Sequence, residues 1–211
     1  MKKIIVLLFL LSSVQLFSQT DTKAKNILDK TSEKTRSYQS IKATFEFNMR
    51  NEESGLNETS NGTLILQKDN YKLSFNGVEI YCDGKTLWTY MKEAQEVNIA
   101  NAGADEETIN PATIFTIYEK GYKNSYIGES SIGAKKTYKI ELLPLQPKDF
   151  SKVILEIEQS TYQIQNAKLF GKDNNIYTIK LLTIETNNSF DASTFTFDTK
   201  KNPKVGVNDM R

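Results

Sequence analysis

The stretch that decides the fold is residues 62–99, which read GTLILQKDNYKLSFNGVEIYCDGKTLWTYMKEAQEVNI. Short runs of alternating apolar and polar residues follow one another at close spacing, which is typical of strands with one buried face. Asn76-Gly77 and Asp83-Gly84 separate two pairs of these runs, and both dipeptides favour type I′ hairpin turns because they accept positive φ. The stretch therefore predicts a meander of antiparallel strands.

The period of two continues on both sides of this stretch. Residues 41–48 read IKATFEFN, so that Ile41, Ala43, Phe45 and Phe47 share one face of a strand. Five further strand patterns lie between residues 124 and 186, where the hairpin loop KDNN occupies 172–175, and FDASTFTFD and a polar tail close the chain. The count is about eleven strands, estimated from the alternation.

Two helices accompany the strands. Residues 22–37 carry apolar residues at helical spacing, with Asp21 or Thr22 as the cap. The segment Asn110–Glu119 predicts a second helix, because Asn110 can cap it and the proline that follows suits the first helical position. Its cluster of apolar residues predicts that one side faces the sheet.

These elements define one domain of a mainly β (α+β) class. A long meander must curl, and two helices cannot cover both faces of such a sheet. We therefore predict a strongly curved, antiparallel, incomplete barrel with the helices in its open mouth, dry on one face and wet on the other.

The N-terminus has the pattern of a secretory signal peptide. Lys2 and Lys3 precede the apolar run IIVLLFLL, and small or polar residues follow it. The run is too short to span a bilayer as a helix. We expect residues 1–18 to be removed after Ser18, leaving a soluble exported domain, residues 19–211. No cysteine lies at the cleavage zone, so we expect no lipid attachment there.

Composition restricts the partners of the mature chain. Removing Lys2 and Lys3 from the 27 basic residues leaves 25, against 26 acidic residues, so charge gives no reason to expect nucleic acid as a partner. Cys82 is the only cysteine, which rules out an internal disulfide.

The composition also disfavours catalysis. The chain has no histidine, and Cys82 therefore lacks the base that commonly activates a thiol. Glu46, Glu79, Glu156 and Glu158 are the kind of carboxylates a glycosidase needs, but their strand positions indicate a solvated sheet surface. We therefore expect no enzyme, no cofactor and no metal, and a small secreted hydrolase is the least favoured hypothesis.

Two stretches carry a family resemblance. Residues 62–99, with their Gly-started strand and the DGKTLWTY hairpin, resemble the outer-membrane lipoprotein carrier family, the LolA-like periplasmic chaperones. Residues 191–209, DASTFTFDTKKNPKVGVND, are similar to the C-terminal Phe-x-Phe strand of that family and its Gly-Val-x-(Asn/Asp)-Asp ending.

The resemblance implies a function. An apolar cavity under a helical lid would receive the acyl chains of lipoproteins from an inner-membrane transporter and pass them to an outer-membrane receptor. It implies a periplasmic protein without a cofactor, which we expect to be a monomer. The alternative is a periplasmic binding or sensing protein for another lipid or amphiphile on the same fold.

The resemblance and the alternation together nominate site residues. Those expected to line the cargo cavity are Ile41, Phe45, Phe47, Leu64, Leu66, Tyr71, Leu73, Phe75, Trp88, Ile114, Phe115 and Tyr118. The family commonly has an Arg-Pro pair where this chain has Lys68-Asp69, and that arginine is thought to hold the lid. Lys68 is therefore the expected lid latch, although lysine is a flexible point charge and not a planar fork.

Overall fold

A computed structural model describes residues 21–103 and 111–211. The predicted signal peptide and the predicted helix cap Asn110 lie outside the described residues. Two short 3₁₀ helices span Pro111–Phe115 and Ala192–Phe195. The longer elements are helix α1 (Thr22–Arg36) and strands β1 (Ile41–Asn51), β2 (Leu56–Gln67), β3 (Asn70–Phe75), β4 (Val78–Cys82), β5 (Thr86–Met91), β6 (Glu96–Asn101), β7 (Tyr122–Ile132), β8 (Lys135–Pro144), β9 (Phe150–Glu158), β10 (Ile164–Gly171), β11 (Ile176–Thr186) and β12 (Gly206–Asp209).

The strands of the described residues form one sheet in the order β12-β6-β5-β4-β3-β2-β1-β11-β10-β9-β8-β7. Neighbours are antiparallel except β12, which runs parallel to β6. The sheet curves without closing, which confirms the predicted incomplete barrel. It has twelve strands, one more than the alternation indicates. The additional strand is Gly206–Asp209, which lies in the expected polar tail and pairs with β6.

The two predicted type I′ turns have different outcomes. Asn76 and Gly77 have φ of +49° and +72°, as a type I′ turn requires. At the other turn only Gly84 has a positive φ, of +85°. There the Asp83 carboxylate accepts hydrogen bonds from the backbone N–H groups of Lys85 and Thr86, at 2.9 and 2.7 Å, and so stabilises a longer loop.

Helix α1 is capped by Asp21, one of the two predicted caps. The Asp21 Oδ1 atom accepts hydrogen bonds from the backbone N–H groups of Lys23 and Ala24, at 3.0 and 3.1 Å. The second carboxylate oxygen accepts the backbone N–H of Tyr126 on β7, an edge strand of the sheet. One side chain therefore satisfies free donors of a helix and an edge strand together. The Tyr126 N–H first, and then that of Ala24, hold the pKa of Asp21 below its ordinary value of 3.8.

Asp21→Ala is expected to lower the free energy of unfolding by about 1–2 kcal/mol, the range for loss of a helix cap. Because the pKa is lower in the folded state, the contribution is complete above the unfolded-state value and is lost as the pH falls through the folded-state value. Urea unfolding at a series of acidic pH values should show the difference from wild type shrink. Asp29→Ala removes an exposed carboxylate of the same helix and should change stability far less. Equal effects of the two changes at neutral pH would contradict this account.

Helix α1 covers the part of the concave face formed by β7–β11. Its inward side buries Ala24, Ile27 and Leu28 in one core with Ile140 of β8 and Leu155 of β9. Beside this core, the ammonium of Lys23 lies 3.5 Å from the ring centre of Tyr126, and that of Lys30 lies 4.9 Å from the ring of Tyr162. Cations over aromatic faces thus add to the apolar contacts that hold the helix.

Residues 111–120, here called the lid segment, lie over the other part of the sheet. The predicted α-helix is replaced there by a 3₁₀ helix and turns, in which the Thr113 carbonyl accepts the N–H groups of both Thr116 and Ile117. Four β-branched residues, Thr113, Ile114, Thr116 and Ile117, lower its helix propensity. Its apolar side faces the sheet as predicted. Ile114, Phe115 and Tyr118 are buried in the common core.

The convex face is not uniformly wet, which corrects the expectation of one dry and one wet face. Residues 190–205, here called the C-terminal strap, lie across β3 and β4 on that face. Phe195 is fully buried, and the Phe197 ring lies 5.9 Å from the Tyr81 ring and 4.9 Å from the Tyr90 ring. The expected Phe-x-Phe strand is a 3₁₀ helix followed by irregular backbone. The strap forms a second small core behind the strands of the concave wall.

Candidate functional site: a cavity on the concave face

A cavity of about 1510 Å³ opens between the concave face, the lid segment and the end of α1. Cavities that bind ordinary small molecules are about 300–1,000 Å³, so this one has room for a larger guest. Its floor is apolar and comes mainly from β3, β4 and β5. The floor residues are Ile41, Leu66, Tyr71, Leu73, Phe75, Val78, Ile80, Cys82 and Leu87.

Strand register explains why these side chains meet. Val78, Ile80 and Cys82 of β4 pair with Phe75, Leu73 and Tyr71 of β3, and paired residues share a face. The residues between them, Glu79 and Tyr81, point to the convex face. A period of two in sequence thus becomes a continuous apolar surface across neighbouring strands.

A polar rim surrounds this floor. It consists of Thr35, Arg36, Gln39, Ser40, Gln67, Lys68, Asp69, Thr113, Thr116, Asn187, Asn188 and Ser189. Part of it is held rigidly, because the Asn187 side chain accepts the Gln39 N–H at 2.9 Å and the Ser40 hydroxyl donates to the Asn188 carbonyl at 2.6 Å. The cavity therefore offers an apolar interior and a hydrogen-bonding mouth, the two environments that an amphiphile needs.

The structure divides the nominated cavity residues into two groups. At the cavity wall lie Ile41, Leu66, Tyr71, Leu73, Phe75 and Phe115, together with Lys68. Away from it lie Phe45, Phe47, Leu64, Trp88, Ile114 and Tyr118. Most of the second group pack in the core, and a role for them in cargo binding stays a prediction.

Phe45 and Trp88 do not line the cavity, for two different reasons. The fully buried Phe45 ring lies directly over Gly62 of β2, in a space that only a residue without a side chain can provide. Trp88 lies between Leu87 and Thr89, which both line the cavity, so strand alternation turns its indole to the convex face. Val78, Ile80, Leu87 and Thr89 were not nominated, although the alternation of β4 and β5 contained the signal for them.

The lid segment is tied to α1 through one carboxylate. Glu119 accepts a hydrogen bond from the Ser32 hydroxyl at 2.9 Å and pairs with the Arg36 guanidinium at 3.1 Å. Lys68, the expected latch, occupies the two-residue β2–β3 turn with φ of +57° and is exposed. Among the described residues no hydrogen bond or ion pair is seen for its side chain. Its role as a latch stays a prediction.

The Cys82 thiol is buried at the cavity floor, 4.0 Å from the Asp69 carbonyl oxygen. Burial raises the pKa of this thiol, which keeps it protonated and poorly nucleophilic. Cys82→Ser is therefore expected to retain function in cells depleted of the wild-type protein. A variant that is exported and folded, yet inactive in that rescue, would support a chemical role for the Cys82 thiol.

Glu79, Glu156 and Glu158 each have hydrogen-bond partners among the described residues. Glu158, expected on a solvated surface, is instead largely buried, and it pairs with Lys135 and accepts from Gln165, both at 3.1 Å. Burial raises the pKa of Glu158, but hydrogen bonds from Ser160 and Lys135 outweigh burial and hold the pKa below its usual value. Within residues 21–103 and 111–211, no cluster of three Cys, Asp or Glu side chains could hold a metal ion.

The fold and the cavity together define a half-barrel protein with an apolar concave pocket and a polar mouth. The sequence model of the outer membrane lipoprotein carrier protein LolA matches residues 14–171. The chain belongs to that family. No curated protein matches it.

Several solved structures match this chain at low sequence identity. An uncharacterized conserved protein from Thermus thermophilus is 11% identical, with a TM-score of 0.62 over 89% of this chain and 99% of that one. The Mycobacterium tuberculosis lipoprotein LppX is 12% identical, with a TM-score of 0.50 over 82% and 99%. A LolA superfamily protein from Nitrosomonas europaea is 14% identical, with a TM-score of 0.46 over 82% and 97%. Within the described parts of this chain, every helix is too short or too polar to cross a bilayer.

Proposed function

We propose that this protein is a periplasmic carrier that encloses the acyl chains of lipoproteins in the concave cavity and moves them from the inner to the outer membrane. The observation that carries the proposal is the cavity of about 1510 Å³ with an apolar floor and a polar rim. Membership of the lipoprotein carrier family supports it. The predicted signal peptide and the absence of a histidine from the sequence agree with an exported binding protein.

The physical task explains the shape. Burying an acyl chain gains about 0.8 kcal/mol per CH₂, so a chain that leaves a membrane needs an equivalent apolar enclosure. The floor residues supply it by shape and apolar area alone. Because such contacts are non-directional, the same cavity can accept different chains and can release them. The acyl chains would lie on the floor and the polar part of the lipoprotein at the rim.

Mass spectrometry of material that co-purifies with the mature protein from periplasm tests the proposal. Acylated lipoproteins at close to one per carrier are the expected result. Free phospholipid without lipoprotein would instead favour the alternative, a binding or sensing protein for another lipid on the same fold. Protein that carries neither when isolated from cells, and that binds no acyl chain in vitro, would overturn both.

Lys68→Leu tests the latch. We expect the variant to load lipoprotein from inner membranes normally and to transfer it to the outer-membrane receptor more slowly, with little change in stability. A lysine hydrogen bond contributes about 1.5–3 kcal/mol at most, which is small enough to break during exchange. The matched control is Lys180→Leu, an exposed lysine of β11 outside the cavity. Wild-type rates in both steps for Lys68→Leu would show an ordinary turn residue.

A further inference from the structure

Two of the described residues at the mouth of the cavity are cationic. Among the described residues that line it, Arg36 and Lys68 are cationic and Asp69 is the only carboxylate. The other described rim residues are neutral. Arg36 is paired with Glu119 of the lid segment, so its charge becomes available to a guest when that pair opens. The apolar floor is a low-dielectric wall that concentrates the field of the two cations at the mouth, which favours a negative group there.

Arg36 holds a position between the lid and the cavity. It is the last residue of α1, it lines the cavity, and its side chain is 72% exposed. One terminal nitrogen, Nη2, contacts Glu119 of the lid segment at 3.1 Å. A guanidinium has five N–H donors in a planar fork, so most of its hydrogen-bonding capacity remains for a ligand.

The Arg36–Glu119 pair is suited to exchange. The Arg36 side of this ion pair is largely exposed, so water competes for the guanidinium and the pair is weak enough to open. Glu119 keeps a second contact when the pair opens, since the Ser32 hydroxyl donates to its other oxygen at 2.9 Å. An anionic group at the mouth can therefore replace Glu119 on Arg36 without leaving the carboxylate unpaired.

We propose that the cavity prefers amphiphiles with an anionic headgroup, and that this headgroup replaces Glu119 as the ion-pair partner of Arg36 when the acyl chain enters. The inference rests on the proposed function, since it requires that acyl chains occupy the floor. It adds a substrate class and a link to the lid. Occupancy by an anionic guest weakens one of the two contacts that Glu119 makes between the lid segment and α1.

Binding of two lysophospholipids with the same palmitoyl chain tests the proposal. Wild-type protein is expected to bind anionic lysophosphatidylglycerol about fivefold more tightly than zwitterionic lysophosphatidylcholine, the ratio that one partly exposed ion pair provides. The ratio should fall at high salt. Palmitate has a similar acyl chain and a carboxylate in place of the phosphate, so it separates a preference for negative charge from a preference for phosphate. Tighter binding of lysophosphatidylglycerol or of palmitate than of lysophosphatidylcholine supports the proposal.

Two variants and a control locate the effect. Arg36→Gln should bring the ratio close to one without weakening lysophosphatidylcholine binding, whereas Glu119→Gln should keep the ratio or raise it. Arg50→Gln removes a comparable arginine, paired with Glu52 at 3.1 Å away from the cavity, and should leave the ratio unchanged. Equal binding of the lysolipids and palmitate by wild type overturns the headgroup preference alone. Failure to bind any of them overturns the proposed function, and the preference with it.

Discussion

Gly62→Ala is expected to destabilise the protein by about 1–3 kcal/mol, the usual cost of overpacking a core. A Cβ atom on Gly62 would overlap the tip of the Phe45 ring and lie 2.8 Å from each neighbouring ring carbon. The ring cannot swing aside, because Phe45 is fully buried and the Phe75 ring lies 6.0 Å from its centre. Relief therefore requires movement of β1 or β2. Urea or thermal unfolding measures the loss.

Gly206→Ala is the matched control for this change. Gly206 is also a strand glycine without a positive φ, but the nearest atom to its added Cβ would be Glu96 Cγ at 3.5 Å, an ordinary contact. A double-mutant cycle with Phe45→Leu adds a second check, since removing the ring should make Gly62→Ala less costly. Equal effects of the two glycine changes, or no coupling to Phe45, would contradict the packing account.

Leu87→Glu is expected to weaken binding of a fluorescent fatty-acyl probe by about tenfold or more, which corresponds to about 1.4 kcal/mol. Leu87 lines the cavity floor, where a carboxylate must lose hydration without gaining a partner when an acyl chain arrives. It is half-buried, unlike Leu73, which is 2% exposed and is needed by the core. The fold should therefore survive, as unfolding curves can verify.

Leu182→Glu introduces the same side chain at a leucine of β11 that is 49% exposed and does not line the cavity. Probe binding should stay at the wild-type level in this control. If a folded Leu87→Glu protein bound the probe as well as Leu182→Glu does, the acyl chain would have to lie elsewhere.

Local patterns in the sequence predicted most of the sheet. The alternation of Ile41, Ala43 and Phe45 identified the buried face of β1, Asn76-Gly77 identified a hairpin, and Asp21 identified the start of α1. Each of these signals depends on residues that are neighbours in the chain. Backbone geometry relates such residues directly, whatever the rest of the fold does.

Contacts between distant parts of the chain have no such local signal. Trp88 lies on the convex face, which a strap that follows about a hundred residues later makes apolar too, so an aromatic residue in β5 does not by itself indicate the cavity. Phe45 lies on the concave face, but its ring occupies the space over Gly62 in the core and does not line the cavity. The parallel pairing of β12 with β6 likewise has no local signal in the sequence.

The most direct test of the central claim is to find where a bound acyl chain lies. A lipoprotein whose acyl chain carries a photoactivatable diazirine can be loaded, cross-linked and mapped by peptide mass spectrometry. The account predicts labels on Ile80 and Leu87, which line the cavity, and none on Tyr81 and Trp88, their neighbours on the opposite face. Labels on Tyr81 and Trp88, or labels spread equally over both faces, would contradict a carrier that encloses acyl chains in its concave cavity.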